Sequence, residues 1–226
     1  MSMISNVTNG TTKQIKEVIG LIDRSGSMSG KEADTIGGIN TMLKELKENV
    51  DNKDFDIRVS VKYFNHKEEL IWRSIPLDTI TLLDVSTYIP DGNTALLDTL
   101  GKTLKHFMAK YAVNYHAYHS CIIYVATDGI DNSSYYYSKS NIKEMIKRAK
   151  EYYNIEVIYL GANQDAIEEA GAIGIPASQA INYSETAAST QSVYKAVARM
   201  ASSNEKTLTP ESGFTPVERI NSARRE

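Results

Sequence analysis

The sequence has little that would suit an extracellular or membrane-anchored protein. It contains a single cysteine, Cys121, so the chain forms no intramolecular disulfide and does not depend on an oxidising compartment. No run of eighteen apolar residues is present, and the polar segment 1–13 lacks the cationic and apolar blocks of a signal peptide. These absences predict a cytoplasmic location and no membrane partner.

The sequence also lacks a strong excess of charge and the common phosphate-binding motifs. Its net charge of -3 argues against nucleic acid or an anionic membrane as the main partner. No GxxxxGK[ST] or GxGxxG motif occurs, so nothing predicts nucleotide binding. The composition, 42% apolar and 23% charged, is that of a globular protein, and 226 residues suit one α/β domain.

Short apolar runs and amphipathic segments alternate along the chain. The continuous apolar character of 14–22 and 119–126 is typical of buried parallel strands. Segments 56–64 and 69–75 alternate apolar and polar residues around a four-residue turn, which predicts an antiparallel pair with the second strand at a sheet edge. Two more strands are predicted at 155–160 and 181–183, and helices at 31–50, 95–108, 141–153, 165–170 and 186–202.

This alternation predicts the fold class α/β, because parallel neighbouring strands need crossover helices. We expect a doubly wound, mainly parallel sheet with one antiparallel edge strand and helices on both faces. The predicted domain covers 14–202. Residues 1–13 are interpreted as a flexible N-terminal segment, and the weakly periodic, charged stretch 203–226 as a C-terminal tail.

Polar residues follow the two predicted central strands. Asp23, Ser25 and Ser27 come directly after the first strand at alternate positions, so a carboxylate and two hydroxyls can turn toward one point. Thr94 opens the second long helix, and Asp128 follows the second central strand. Ligands of open α/β sheets bind at this carboxyl edge. The pattern therefore predicts an oxygen-rich site; the simpler alternative is that the first three residues only cap the next helix.

These five oxygens suit a small, hard cation. Mg²⁺ prefers near-octahedral oxygen coordination and takes only one or two carboxylates from a protein. Mn²⁺ would fit almost as well, whereas Ca²⁺ normally recruits more carboxylates and carbonyls. The predicted cofactor is Mg²⁺, with Mn²⁺ as the substitute.

Three motifs in this order resemble the metal-ion-dependent adhesion site of von Willebrand factor A domains. They are Asp23-x-Ser25-x-Ser27, Gly92-Asn93-Thr94 and Thr127-Asp128-Gly129. The resemblance covers 14–202 and looks closest to small bacterial and phage members, such as those encoded near tellurium-resistance genes. It implies that Ser25, Ser27 and either Thr94 or Asp128 contact the metal directly, and that Asp23 is bound through water, with Asp128 as the alternative second water-bound carboxylate.

The resemblance further implies an open coordination position, which an acidic residue of a partner protein fills. Five residues near the site are predicted to form the rim that contacts this partner: Arg24, Asp131, Asn132, Tyr135 and Tyr136. Tyrosine is enriched at interface hot spots, although a tyrosine-rich loop that packs on its own domain is an equal alternative. For Arg24 the alternative is a surface salt bridge.

The predicted function is thus a non-enzymatic, divalent-cation-dependent protein-binding module. A metal-dependent phosphatase is one alternative, because an aspartate at a strand end beside Mg²⁺ also describes the haloacid-dehalogenase type. That chemistry needs a second acidic residue where this chain has Ser25. An adaptor subunit of an ATPase complex is the other alternative, and it differs only in the identity of the partner.

Overall fold

The structure, a computed structural model, describes residues 13–49, 55–162 and 165–224. Within them, six strands form one sheet in the order β3-β2-β1-β4-β5-β6. β3 runs antiparallel to β2, and the remaining neighbours are parallel. The strands are β1 Gln14–Asp23, β2 Phe55–Phe64, β3 Glu68–Pro76, β4 Tyr118–Thr127, β5 Ile155–Ala162 and β6 Ala180–Tyr183.

Helices cover both faces of this sheet. They are α1 Glu32–Glu48, α2 Leu96–Val113, α3 Lys139–Tyr153, α4 Ala166–Ala172, α5 Ala187–Ser202 and α6 Pro216–Ser222. The apolar residues of α1 and α5 share one core with Val18 and Ile22 of β1, whereas those of α2, α3 and α4 share the other with Ile19 and Leu21. This alternation along one strand is why a central strand needs a continuous apolar run.

The predicted fold class is confirmed, including the antiparallel edge strand β3. The two central strands are β1 and β4, which lie side by side in parallel register. Their carboxyl ends therefore open at the same edge of the sheet. No helix within the described ranges is both long and apolar enough to cross a bilayer.

The segment after α5 differs from the tail expected from its weak periodicity. Leu208 and Phe214 are each only 6% exposed. Thr215 and Glu218 form a capping box at the start of α6, and Arg219 donates hydrogen bonds to two backbone carbonyls next to β6. A seven-residue helix offers too few turns for a periodic signal, so packing and capping rather than amphipathicity hold it in place. The predicted flexibility of 1–13 falls on residues outside the described ranges, except for Lys13.

Candidate metal centre

The carboxyl ends of β1 and β4 bring the first two predicted site elements together. Ile22 of β1 pairs with Ala126 of β4, so Asp23 and Thr127 are neighbours across the sheet. The Thr127 hydroxyl donates a 2.6 Å hydrogen bond to Asp23 Oδ2. Asp128, the next residue along the chain, therefore emerges beside the loop that follows β1.

The loop after Asp23 turns its hydroxyls toward Asp128. Asp23 Oδ1 accepts a 2.7 Å hydrogen bond from the backbone N–H of Ser25, which fixes the first bend of the loop. Ser25 Oγ lies 3.1 Å from Ser27 Oγ, and Ser27 Oγ donates to Asp128 Oδ1 at 2.7 Å. The alternating hydroxyls predicted from the sequence thus form one connected row of oxygens between the two strand ends.

Thr94 reaches the same point from the start of α2. It is 2% exposed, and its backbone N–H donates to Asn132 Oδ1 at 2.8 Å. A β-carbon placed on Gly129 would lie 3.8 Å from Ser27 Oγ and 3.9 Å from Thr94 Oγ1, so both hydroxyls face the space beside this glycine. The structure therefore brings together all five residues predicted to hold the metal.

Gly92 allows the segment before Thr94 to approach the metal loop. Its φ of +73° lies in the left-handed region, and a β-carbon there would overlap the ring of His66. The Gly92 carbonyl accepts a 2.9 Å hydrogen bond from the backbone N–H of Gly26. This close backbone contact ties the two loops together and sets the position of the Thr94 hydroxyl.

The site concentrates negative charge away from water. Asp23 is fully buried, and this burial raises the pKa of its carboxyl, an effect that the hydrogen bonds from Thr127 and Ser25 only partly offset. The Asp128 side chain is 4% exposed. Carboxylates in so poorly hydrated a place are stabilised by nearby positive charge, part of which comes from the ion pair between Asp128 and Lys31.

The donor set fits Mg²⁺ or Mn²⁺. An octahedral ion with metal–oxygen distances of about 2.0–2.1 Å separates adjacent ligands by about 2.9 Å. The neighbouring oxygens here lie 2.7–3.1 Å apart. Among the described residues, no three His, Cys, Asp or Glu side chains gather at one point, so the nitrogen- and sulfur-rich sites typical of zinc are absent from that part of the chain.

Arg24 does not point freely toward solvent. Its Nη1 donates a 2.5 Å hydrogen bond to Glu69 Oε2 on β3, and 17% of its side chain is exposed. The salt bridge that was the alternative for this residue is what the structure contains. Arg24 therefore ties the metal loop to the edge hairpin.

Asp131 and Asn132, also predicted at the rim, use their side chains inside the domain. Asp131 Oδ2 accepts hydrogen bonds from the backbone N–H of Leu97 and from Ser134 Oγ. Asn132 holds Thr94 through both its side chain and its backbone N–H. These two residues position the start of α2, and their acceptor oxygens are already occupied.

Tyr135 and Tyr136, by contrast, are 87% and 70% exposed. The loop that carries them is held by Asp98, a residue for which the sequence predicted no role. This aspartate is 6% exposed and accepts backbone hydrogen bonds of 2.8–3.0 Å from Tyr135, Tyr136 and Tyr137. The available signal was a carboxylate among the apolar residues that begin α2.

Replacing Asp98 by asparagine is expected to lower the free energy of unfolding by about 2–3 kcal/mol, because one amide oxygen cannot serve three backbone donors. Urea denaturation of the variant and the native chain measures this difference. Asp78→Asn, at an exposed position in the turn that follows β3, is the matched control and should change stability by less than about 0.5 kcal/mol. Equal losses in both variants would contradict a positioning role for Asp98.

Comparison with known proteins agrees with this architecture. The family model of the von Willebrand factor type A domain matches residues 17–196. The chain belongs to this family. A search of curated proteins finds no significant match to the sequence.

Several solved structures share the fold of this VWA domain at low sequence identity. A von Willebrand factor type A protein from Catenulispora acidiphila has 15% identity and a TM-score of 0.58, over 84% of this chain and 43% of that one. Proximal thread matrix protein 1 from the mussel byssus, with zinc in its metal-ion-dependent adhesion site, has 13% identity and a TM-score of 0.59, over 83% and 48%. The PilB minor pilin from Streptococcus sanguinis has 16% identity and a TM-score of 0.59, over 85% and 62%. The VWA domain thus spans less than two thirds of each of these relatives.

Proposed function

We propose that this VWA domain is a divalent-cation-dependent protein-binding module, in which the ion takes an acidic side chain from a partner protein. The observation that supports this most directly is the convergence of Asp23, Ser25, Ser27, Thr94 and Asp128 at one sheet edge. Ser25 Oγ and Ser27 Oγ lie 3.1 Å apart, close to the separation of adjacent ligands around a small octahedral cation.

In this proposal the hydroxyls of Ser25, Ser27 and Thr94 would hold the metal directly. Asp23 and Asp128 would supply the negative charge and would act through water. Mg²⁺ is the proposed ion and Mn²⁺ its substitute, because the protein offers only oxygen donors here. The bound ion would supply an electrophilic coordination position that a carboxylate of the partner fills.

The surroundings of the site suit a partner with apolar residues next to its acidic group. Ile89 and Ile130, from the segments that lead to Thr94 and follow Asp128, are 69% and 56% exposed. Tyr135 and Tyr136 add two more exposed rings. Such amphipathic and apolar side chains around a polar centre are typical of interface hot spots. We propose this set as the partner-facing rim in place of Arg24, Asp131 and Asn132.

We also propose that the protein is not an enzyme. The hydroxyls of Ser25 and Ser27 are hydrogen-bonded to each other, and that of Ser27 also to Asp128. Ser25 also occupies the position at which phosphatase chemistry needs a second acidic residue. A generic aryl phosphate incubated with Mg²⁺ is therefore expected to remain unhydrolysed. Mg²⁺-dependent turnover that is lost in Asp23→Asn would contradict this proposal.

The binding function is tested by capturing partners from native lysate with immobilised protein. We expect a set of proteins retained in Mg²⁺, released by EDTA and absent from Asp23→Ala, because the acidic contact requires the ion. Asp56→Ala, an exposed aspartate at the start of β2, is the control and should retain the same set. Capture of identical proteins under all conditions would refute metal-bridged binding.

A further inference from the structure

Lys31 lies directly beside the proposed metal site. It precedes α1 as its capping residue, and its side chain is 23% exposed. Its Nζ contacts two carboxylates, Asp128 Oδ2 and Glu185 Oε1, both as ion pairs. A cation of the protein itself therefore already partly neutralises the charge that a divalent ion would meet.

With the contact to Lys31, both carboxylate oxygens of Asp128 have a partner. Asp128 Oδ1 accepts the hydrogen bond from Ser27 at 2.7 Å, and Oδ2 is the atom that pairs with Lys31. Water bound to a metal would need one of these oxygens as an acceptor. The ammonium also repels a nearby divalent cation, and this repulsion is strong because the Asp128 side chain is only 4% exposed. Lys31 thus opposes metal binding through both hydrogen bonding and charge.

Glu185 acts on the other side of the ammonium. It lies between β6 and α5, next to Thr186, which caps α5, and its side chain is 29% exposed. Because Glu185 and Asp128 share one ammonium, a stronger hold by Glu185 leaves Asp128 more available to the metal. The position of Glu185 is thereby linked to the metal site through a single side chain.

We propose that Lys31 is a built-in competitor of the divalent cation and that Glu185 determines how strongly it competes, by drawing the ammonium away from Asp128. This inference rests on the proposed metal site. It assigns an affinity-setting role to two residues outside the predicted ligand set. Its consequence is a site whose affinity for metal is lower than its oxygen ligands alone would give.

The test is calorimetric titration of the full chain with Mn²⁺ alone, without a partner. Lys31→Met is expected to bind Mn²⁺ about 10-fold more tightly than the native chain, because repulsion and competition are both removed. Glu185→Gln is expected to bind about 3- to 10-fold more weakly, because the ammonium then rests on Asp128 alone. Lys195→Met, which removes a pair with Glu45 that also joins α5 to α1, is the matched control and should leave the affinity unchanged.

The double variant, Lys31→Met with Glu185→Gln, shows whether Glu185 acts through Lys31 or directly through its own charge. If Glu185 acts through Lys31, Lys31→Met with Glu185→Gln binds Mn²⁺ within about 2-fold of Lys31→Met. A loss in the double variant as large as that of Glu185→Gln alone would show that Glu185 acts by its own charge, and would overturn its role here.

Thermal unfolding provides a second readout if calorimetry is limited by the stability of a variant. Lys31→Met leaves Asp128 unpaired, so we expect a lower Tm without metal and a larger Tm increase on addition of Mn²⁺. A lower Tm without metal, combined with the native Tm increase on addition of Mn²⁺, would mean that Lys31 has only a structural role. Unchanged or weaker Mn²⁺ binding by Lys31→Met would overturn the inference and leave the metal site intact, whereas absence of Mn²⁺ binding by the native chain would overturn the proposed function itself.

Discussion

Replacing Asp23 by asparagine is expected to lower the affinity for Mn²⁺ by about 10- to 100-fold, because it removes one of the two carboxylates that offset the charge of the ion. Asparagine has the same shape, so its oxygen can still accept the 2.7 Å hydrogen bond from the Ser25 N–H. The loss would therefore reflect charge rather than a rearranged loop.

The same substitution is expected to leave the metal-free protein as stable as the native chain or more stable. Asp23 is fully buried, and without a metal its charge is poorly solvated and lies near that of Asp128. Removing that charge relieves both costs, whereas the Thr127 hydroxyl keeps a neighbour in the Gly129 carbonyl at 3.2 Å. Affinity and stability should thus change in opposite directions.

Calorimetric titration and urea denaturation measure these two quantities on one preparation. Asp56→Asn is the matched control, since it removes an exposed carboxylate at the far end of the sheet and should alter neither quantity. A variant at Asp23 that still binds Mn²⁺ with native affinity would exclude this carboxylate from the site. A large loss of stability without metal would show that Asp23 is primarily a structural acceptor.

Ending the chain at Ser202, the predicted domain boundary, is expected to lower the free energy of unfolding by at least about 4 kcal/mol. Two buried apolar side chains, Leu208 and Phe214, would be lost, and burial of each contributes about 1.5–3 kcal/mol. Urea denaturation of the shortened and full chains measures the difference.

The truncation would also remove one hydrogen-bond partner from each of two buried charged residues. Glu156, 3% exposed, accepts a 2.9 Å hydrogen bond from the backbone N–H of Leu208. Lys16, 1% exposed, donates to the carbonyl of Ser203 at 2.5 Å. Both side chains keep other partners, so the two lost hydrogen bonds add only modestly to the apolar loss.

Two point variants distinguish packing from mere chain length. Phe214→Ala should destabilise by about 3 kcal/mol, whereas Val217→Ala, at a position 64% exposed on α6, should change stability by less than about 0.5 kcal/mol. If the chain that ends at Ser202 has the same midpoint of urea unfolding as the full chain, the predicted domain boundary is correct. The packed C-terminal segment would then contribute nothing to stability.

The residue pattern alone predicted the sheet, the helices α1 to α5 and the place of the site. Continuous apolar runs in β1 and β4 indicate burial on both faces, and alternation in β2 and β3 indicates a hairpin at the edge. These signals are local because each depends only on the period at which side chains face the core. The polar residues after β1 and β4 follow from the same logic, since parallel strands end at a common edge.

Partner choice among charged side chains was decided only by the tertiary structure. Arg24 pairs with Glu69, Lys31 lies between Asp128 and Glu185, and Asp98 holds a loop more than thirty residues away. Such pairs leave no periodic trace in the sequence, because one hydrogen bond can join any two positions that the fold brings within 3 Å or so. The sequence by itself therefore determined that a row of hard oxygens stands at the carboxyl edge of the sheet. Only the tertiary structure decided that a lysine shares those oxygens and that residues beyond Ser202 pack against the domain, because both depend on contacts between elements far apart in the chain.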